Sequence, residues 1–212
     1  MPITRICLVR HGETAWNAET RLQGHEDIAL NARGREQARA AAEALKAHAF
    51  SAIYSSDLIR ARETAEAIAH DRGQSVQLDA GLRERHFGMF QGLTREEADQ
   101  LHPGEYARLR TREPEATPPG GGESLLAFAA RVSTTIRQIA ERHADSQILV
   151  VCHGGCLDVI YRMVTGKLMN EPRDFPLGNA TLNWIESGKD GWKLLAWDER
   201  AHLTRSQDEI AV

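Results

Sequence analysis

The sequence predicts an α/β protein, a three-layer α/β/α sandwich around a mostly parallel central sheet. Short, continuous apolar runs at residues 6–9 and 148–152 are typical of strands that are covered on both faces. Amphipathic helical patterns separate the strand candidates. This alternation favours parallel pairing, because a helix returns the chain to the edge where the next strand starts. Residues 181–186 and 192–197, joined by SGKDG, add an antiparallel hairpin.

The first half of the chain predicts three strands and two helices. The strands lie at residues 6–9, 51–55 and 75–78. The first helix is indicated by apolar residues at helical spacing between charged ones, at Ala38, Ala41, Ala42 and Leu45. The second helix ends before Gly73, a stop signal, and carries its apolar stripe at Leu58, Ala61, Ala65 and Ile68.

The second half begins with a segment that lacks strands and then returns to the alternation. Two short helical patterns at 94–101 and 103–110 precede a Gly- and Pro-rich loop at 117–124. We expect this loop to be a linker rather than a flap over a site. The strand at 148–152 leads into a helix at about 156–165. Before that strand lies a long amphipathic helix with apolar residues at Leu125, Ala129, Val132, Ile136 and Ile139.

The composition is that of one globular domain, with a polar tail at 204–212 that we expect to be frayed. The chain has 212 residues, of which 42% are hydrophobic and 26% charged, and its net charge is −4. A mildly acidic chain offers no general basic field for nucleic acid or an anionic membrane, so we expect neither as a partner. The sequence leaves the oligomeric state open, a homodimer included.

The cysteines and the N-terminus indicate a cytoplasmic protein. Cys7, Cys152 and Cys156 show no disulfide or zinc-site spacing. The first residues, MPITRICLVR, lack the apolar core and cleavage site of a signal peptide, and no apolar run is long enough to span a bilayer. We therefore expect a reducing compartment and free thiols.

Two histidines directly follow predicted strands, and each is followed by glycine. Arg10 and His11-Gly12 end the first strand, and His153-Gly154 ends the strand at 148–152. Ligands of such sheets bind beyond the carboxyl ends of the strands, so we expect both histidines at one edge. One histidine of this kind would favour a structural role, whereas two beside glycines favour a ligand site.

Arginines near these histidines indicate an anionic ligand. Arg10 adjoins His11, while Arg60 and Arg62 lie in the first turns of the helix after the second strand. A solvated helix face would also explain the latter pair. Cations at a helix N-terminus oppose the macrodipole, however, which favours an anion between them and the helix end. Guanidinium groups match phosphoryl oxygens, and their charge lowers the pKa of a nearby histidine, which keeps its imidazole neutral and nucleophilic.

Five short motifs resemble the signature of the histidine phosphatase superfamily, the phosphoglycerate mutase-like group. Their order and spacing agree with that family over most of the chain. The motifs are LVRHGET at 8–14 followed by Trp16-Asn17, LQG at 22–24, SSDLIRA at 55–61, LRE at 82–84 and VCHGG at 151–155. Ala29 departs from the usual proline and affects a loop. The resemblance implies a phosphoglycerate mutase-like fold and a single histidine phosphatase domain over residues 1–212.

The resemblance also implies a catalytic residue set. His11 attacks phosphorus and becomes a phosphohistidine, and Glu84 donates a proton to the leaving oxygen and later accepts one from the entering nucleophile. The transferring phosphoryl group is held by Arg10, Arg60 and His153. We expect no metal and no cofactor, because a basic cluster can neutralise the equatorial oxygens. The alternative for Glu84 is a loop carboxylate paired with Arg83 or Arg85.

Further positions match the family's contacts to its substrate. Some add hydrogen bonds to the phosphoryl group and others contact the rest of the molecule. These residues are Asn17, Gly154, Gln23, Gly24 and Arg62. The loops between residues 94 and 124 should determine which substrate is accepted.

We therefore expect a metal-independent phosphatase that hydrolyses a small phosphorylated metabolite through a phosphohistidine. A phosphoglycerate mutase that interconverts 2- and 3-phosphoglycerate shares the same site and is the main alternative. A mutase must shield its phosphohistidine from water. Thr94-Arg95 stands where family mutases typically place Asn-Lys, which favours the phosphatase. A non-catalytic binding protein on the same fold is least favoured, because every predicted catalytic residue is present.

Overall fold

The computed structural model describes residues 3–203, and the predicted polar tail at 204–212 lies outside the described residues. Within them the chain forms one sheet of six strands in the order β3-β2-β4-β1-β5-β6. The strands are β1 (Thr4–Arg10), β2 (Ala52–Ser55), β3 (Val76–Leu78), β4 (Gln147–Cys152), β5 (Leu182–Gly188) and β6 (Gly191–Glu199). The first four pair in parallel, and β5 runs antiparallel to both β1 and β6. This arrangement confirms the predicted mostly parallel sheet with a terminal hairpin.

The helices cover both faces of this sheet. In the described part of the chain they are α1 (Ala15–Ala18), α2 (Ala32–Leu45), α3 (Ile59–Ala69), α4 (Arg95–Leu101), α5 (Pro103–Arg110), α6 (Leu125–Arg142) and α7 (Gly154–Thr165). Helices α2 and α3 pack together on one face, and α6 and α7 pack together on the other. None of these helices is long and apolar enough to cross a membrane.

The central strands β1 and β4 are buried on both faces, as their continuous apolar sequences predict. Successive side chains of a strand point to opposite faces. Ile6 and Leu8 therefore pack with α6 and α7, while Cys7 and Val9 pack with α2 and α3. The two helical layers thus share one sheet, which holds the strand ends rigidly. Removing an apolar side chain from this core, as in Ile136→Ala, is expected to lower the free energy of unfolding by about 2–5 kcal/mol.

Two local features differ from the sequence expectation. Helix α7 begins at Gly154 rather than near residue 156, because His153 is the extended N-cap residue and the two glycines after it form the first turn. The short helix α1 has no apolar stripe to reveal it. It is stabilised instead by a capping box, in which Thr14 and Asn17 each accept a hydrogen bond from the other's backbone N–H.

Strand pairing brings the two histidine motifs together. β1 and β4 are neighbours in register, with Arg10 opposite Cys152. The pairing continues one residue further, where the backbone N–H of His11 donates to the Cys152 carbonyl at 3.0 Å. His11 and His153 therefore leave the same edge of the sheet side by side.

Candidate active site

The two predicted histidines lie side by side at the carboxyl edge of the sheet, where His11 lines a cavity and His153 is buried beside it. Their ring centroids are 5.1 Å apart and the rings are inclined by 59°. His11 is 2% exposed and His153 is fully buried. Burial lowers the pKa of both imidazoles well below the usual 6.5, and the charges of Arg60 and Arg10 lower it further. Both rings are therefore neutral at pH 7.

Hydrogen bonding determines which nitrogen of His11 carries its proton. Nδ1 lies 2.7 Å from the carbonyl oxygen of Gly12. A carbonyl oxygen only accepts, so Nδ1 is the protonated nitrogen and Nε2 keeps a free lone pair. The backbone is held as well, because the Asn179 side-chain amide donates to the His11 carbonyl at 2.9 Å. A neutral, oriented imidazole of this kind is equipped to act as a nucleophile.

Two arginines flank the histidines, Arg60 buried and Arg10 half-buried. Arg60 is fully buried and donates to the carbonyls of Gly24 at 2.7 Å and Glu26 at 2.8 Å. Arg10 donates to the carbonyl of Leu177. Burial lowers the pKa of Arg60 to about 10, so this guanidinium remains charged at neutral pH.

Several buried polar atoms of this group have no hydrogen-bond partner among the described residues. They are the Nε atoms of Arg10 and Arg60 and both ring nitrogens of His153. A buried donor without an acceptor costs about 1–3 kcal/mol, so such groups commonly serve a ligand. A tetrahedral oxyanion offers acceptors to all three side chains, which makes the cluster suited to a phosphoryl group.

Glu84 extends its carboxylate into the same cavity. Its oxygens accept the backbone N–H groups of Arg85 at 2.8 Å and Gly155 at 2.9 Å. Glu84 does not form an ion pair with Arg83 or Arg85, which was the alternative role considered for it. Arg83 forms an ion pair with Asp57 instead, with Nε and Oδ1 2.7 Å apart, and Arg85 donates to backbone carbonyls.

Sequence reasoning missed Arg131, which holds the backbone around Glu84. Its guanidinium donates to the carbonyls of Gly81 and Arg83, each at 3.0 Å, and of Glu84 at 3.2 Å. An ion pair with Glu123 at 2.7 Å fixes its orientation. Arg131 is a polar position on the amphipathic helix α6, and such a position does not differ in sequence from a solvated one.

The smaller predicted contacts also lie at the cavity. Asn17 and Gln23 line it, and Gln23 is buried with Oε1 unpartnered among the described residues. Gly24 has φ +54°, and a Cβ there would lie 2.2 Å from the end of the Gln91 side chain, so this position favours glycine. Gly154 lies beside the Arg10 guanidinium, where a Cβ would come within 3.3 Å of Nε.

Arg62 is the predicted site residue that the structure places elsewhere. Its side chain is 42% exposed, forms a 3.7 Å ion pair with Glu66 and does not line the cavity. Arg60 and Arg62 are two residues apart on α3 and therefore point about 200° apart around the helix. Both cannot face one site, and that periodicity was available in the sequence. The prediction of a substrate contact at Arg62 is therefore corrected.

The cavity has a volume of about 1170 Å³ and two outer walls. One wall comes from the predicted selectivity region and includes Arg95, Tyr106 and Arg112. The other is the segment 172–177 between α7 and β5, which the sequence did not single out. The loop at 117–124 does not line the cavity. Its residue Pro119 accepts from the N–H of Met89, so the loop packs on the segment after Glu84.

Among the described residues, positively charged side chains outnumber negatively charged ones in the lining of the cavity. Eight arginines and four carboxylates line it, although the chain as a whole carries a net charge of −4. No group of three or more His, Cys, Asp or Glu side chains in residues 3–203 is arranged to hold a metal ion. The arrangement can neutralise a phosphoryl group, present it to the Nε2 lone pair and supply a proton from the Glu84 side.

Comparison with known proteins agrees with this geometry. The family model of the histidine phosphatase superfamily, branch 1, matches residues 6–200. This match confirms the resemblance predicted from the five motifs.

Relatives of known name span almost the whole chain. The phosphoglycerate mutase-like protein 4 of Arabidopsis thaliana is 39% identical over 201 residues, covering 93% of this chain and 86% of the relative. The metal-independent phosphoserine phosphatase of the same species is 38% identical over 209 residues, covering 95% and 84%. The crystal structure of the alpha-ribazole phosphatase from Shigella flexneri has a TM-score of 0.85 at 29% identity, covering 93% of this chain and 97% of that chain.

Proposed function

This chain belongs to the histidine phosphatase superfamily, and we propose that it is a metal-independent phosphatase that hydrolyses a small phosphorylated metabolite. The observation that carries the proposal is the state of His11. Its Nδ1 donates to the Gly12 carbonyl, its pKa is lowered by burial and by two arginines, and its Nε2 lone pair is free. A nucleophile in this state is ready to attack at neutral pH.

The first half-reaction transfers the phosphoryl group to the enzyme. Nε2 of His11 forms a bond to phosphorus while the bond between phosphorus and the ester oxygen breaks. Arg10, Arg60 and His153 hold the three equatorial oxygens, for which their unpartnered buried nitrogens provide the support. Protonated Glu84 gives its proton to the leaving alkoxide, a step that contributes roughly 10²–10⁴-fold.

The second half-reaction returns the enzyme to its starting state. The Glu84 carboxylate accepts a proton from a water molecule as the water oxygen bonds to phosphorus. The bond from phosphorus to Nε2 breaks, inorganic phosphate leaves, and Glu84 is protonated for the next cycle. Gly155 and Arg85 N–H groups hold the carboxylate in place through both steps.

The substrate contacts are proposed for a smaller set than the sequence indicated. Asn17, Gln23, Gly24 and the Gly154 backbone contact the substrate, while Arg62 takes no part. We propose that residues 1–212 form a single domain in a reducing, cytoplasmic setting. The three free, buried cysteines support that setting.

Phosphoglycerate mutase activity is the second candidate, favoured by the mutase-like names among the relatives. A mutase keeps water from its phosphohistidine until the group is returned. Here the cavity mouth carries exposed polar side chains, at Arg95, Glu96, Asp99, Arg110 and Arg173. Exposed polar side chains at the mouth leave the phosphohistidine open to water, which supports transfer of the phosphoryl group to water.

The test is a panel of phosphorylated metabolites assayed for phosphate release and for isomerisation. We expect phosphate release, no requirement for 2,3-bisphosphoglycerate, and a phosphoenzyme that loses its phosphate to water within one turnover. A phosphoenzyme that outlasts many turnovers and interconverts 2- and 3-phosphoglycerate would assign the mutase activity instead.

A further inference from the structure

His25, directly after the LQG motif, lies between the arginine that flanks the two histidines and the residue in the role of acid. The His25 side chain is half-buried and does not line the cavity. Its Nε2 lies 2.8 Å from the main-chain carbonyl oxygen of Glu84. Because a carbonyl oxygen only accepts, Nε2 carries the proton and donates this hydrogen bond. His25 therefore contacts the backbone of Glu84 from outside the cavity.

The backbone on both sides of His25 is held by Arg60. This fully buried guanidinium donates to the Gly24 carbonyl at 2.7 Å and to the Glu26 carbonyl at 2.8 Å. These two residues are the immediate neighbours of His25 in the chain. The backbone N–H of His25 itself donates to Oε1 of Gln91 at 2.8 Å. The position of the His25 backbone is therefore tied to the position of Arg60.

A ring contact holds the His25 side chain in one orientation. Its ring meets the His86 ring edge to face, with centroids 4.8 Å apart and planes inclined by 73°. Edge-to-face packing is a favourable arrangement of two aromatic rings. With the backbone and the ring both held, Nε2–H is directed at the Glu84 carbonyl.

Glu84 lies in an irregular segment, so side-chain donors from other elements determine where its backbone lies. Arg131 on α6 makes a longer hydrogen bond to the same carbonyl, at 3.2 Å. The Sγ atom of Cys156 on α7 lies 3.2 Å from each of the two preceding carbonyl oxygens. Of these three donors, His25 is the one whose own backbone is held by Arg60. It thus joins the acid to the group proposed to bind the phosphoryl oxygens.

We propose that His25 is a positioning residue that sets the distance between the acid Glu84 and the phosphoryl group bound by Arg60. An acid must lie within about 2.6–3.2 Å of the oxygen that it protonates, so a small shift of the Glu84 backbone lowers the rate. The inference rests on the proposed function for the roles of Glu84 and Arg60, and it adds the residue that connects them.

The test compares His25→Phe, which keeps an aromatic ring without a donor, with two amides of different reach. The amide nitrogen of glutamine lies about where Nε2 of histidine lies, whereas that of asparagine lies about where Nδ1 lies. His25→Phe and His25→Asn should lower kcat for alkyl phosphates by about 10- to 100-fold, because a misplacement of about 1 Å can cost roughly 10²-fold. For p-nitrophenyl phosphate, kcat and KM should stay within about threefold. His25→Gln should restore most of the alkyl rate.

A control and a thermal melt separate positioning from a general loss of structure. His70→Phe makes the same change at an exposed histidine that does not line the cavity, and it should alter neither rate. If His25→Phe melts at a lower temperature, the amide pair carries the test. Equal alkyl rates in His25→Gln and His25→Asn overturn the inference, as does a loss in all His25 variants that is equal for alkyl and aryl esters.

A double-mutant cycle with Glu84→Gln separates this inference from the proposed function. If His25 acts through Glu84, adding His25→Phe to Glu84→Gln should lower the alkyl rate by less than about threefold. Losses that multiply in the double variant show that His25 acts independently and overturn the inference, while the proposed function stands. Glu84→Gln without an alkyl-selective loss would refute the acid itself, and this inference with it.

Discussion

Replacing Gly155 with alanine would place a methyl group where the Glu84 carboxylate lies. The new Cβ would stand 2.1 Å from Oε1 of Glu84 and 3.1 Å from Cε1 of Phe128. Phe128 is 2% exposed and packed in the core, so the carboxylate must yield. Reaching ordinary contact near 3.4 Å requires Oε1 to move by about 1.3 Å. A shift of that size breaks the 2.8 Å hydrogen bond that Oε1 accepts from the Arg85 N–H, and it carries along Oε2, which accepts from the Gly155 N–H at 2.9 Å.

Displacing the Glu84 carboxylate should slow the reaction only for substrates whose leaving group must be protonated. Proton transfer requires heavy atoms within about 2.6–3.2 Å, and a misplacement of about 1 Å can cost roughly 10²-fold. We expect kcat for alkyl phosphates to fall by roughly 10²–10⁴-fold, the contribution of a positioned acid. For p-nitrophenyl phosphate, whose leaving group needs little protonation, the loss should stay below about tenfold. Gly155 lies in the first turn of α7, where alanine is a better helix former, so folding should be unaffected.

The assay is a leaving-group series from alkyl to aryl phosphates, combined with a thermal melt. Gly104→Ala is the matched control, because a Cβ at Gly104 meets nothing within 4 Å. Glu84→Gln provides the reference pattern for loss of the acid. If Gly155→Ala lowers the rate equally for alkyl and aryl esters, or leaves both rates unchanged, the role of the Glu84 carboxylate as the acid does not depend on the space beside Gly155.

Four further predictions concern the nucleophile, metal, the backbone clamp and pH. Rapid denaturation during turnover should trap acid-labile, base-stable phosphate on His11, and His11→Ala should lose both label and activity; label on serine or aspartate would refute the mechanism. Exhaustive chelation should leave the rate unchanged, and activity that returns only with added Mg²⁺ or Zn²⁺ would contradict it. Arg131→Lys, which cannot reach all three carbonyls, should reproduce the alkyl-selective loss of Glu84→Gln, whereas a uniform loss would make Arg131 merely structural. The folded pKa of His11 and His153 lies below 6.5, so the unfolded chain binds more protons as pH falls through about 6.5. The free energy of unfolding should therefore decline below that pH, and the decline should lessen in His153→Gln; an unchanged profile in that variant would refute the assignment.

The sequence determined the features that depend on local periodicity. Continuous apolar runs mark β1 and β4 because strands buried on both faces need an apolar side chain at every position. Once these strands pair in parallel, the residues that follow each one, His11 and His153, must meet at one edge. The fold class, the histidine pair and the flanking Arg10 were therefore predictable without coordinates, and the family motifs added Arg60 and Glu84.

Only the tertiary structure decided which side chains converge from distant elements. Arg131 is a polar residue whose local sequence does not distinguish a site from a solvated surface, and its role arises from contacts with a loop far away in the chain. Arg62 shows the converse, because a motif neighbour of Arg60 points to the opposite side of α3. Short-range pattern reflects the geometry of a single helix or strand, whereas the lining of a cavity depends on how several elements pack. Packing is a property of the whole chain, and no local stretch of this sequence encodes it alone.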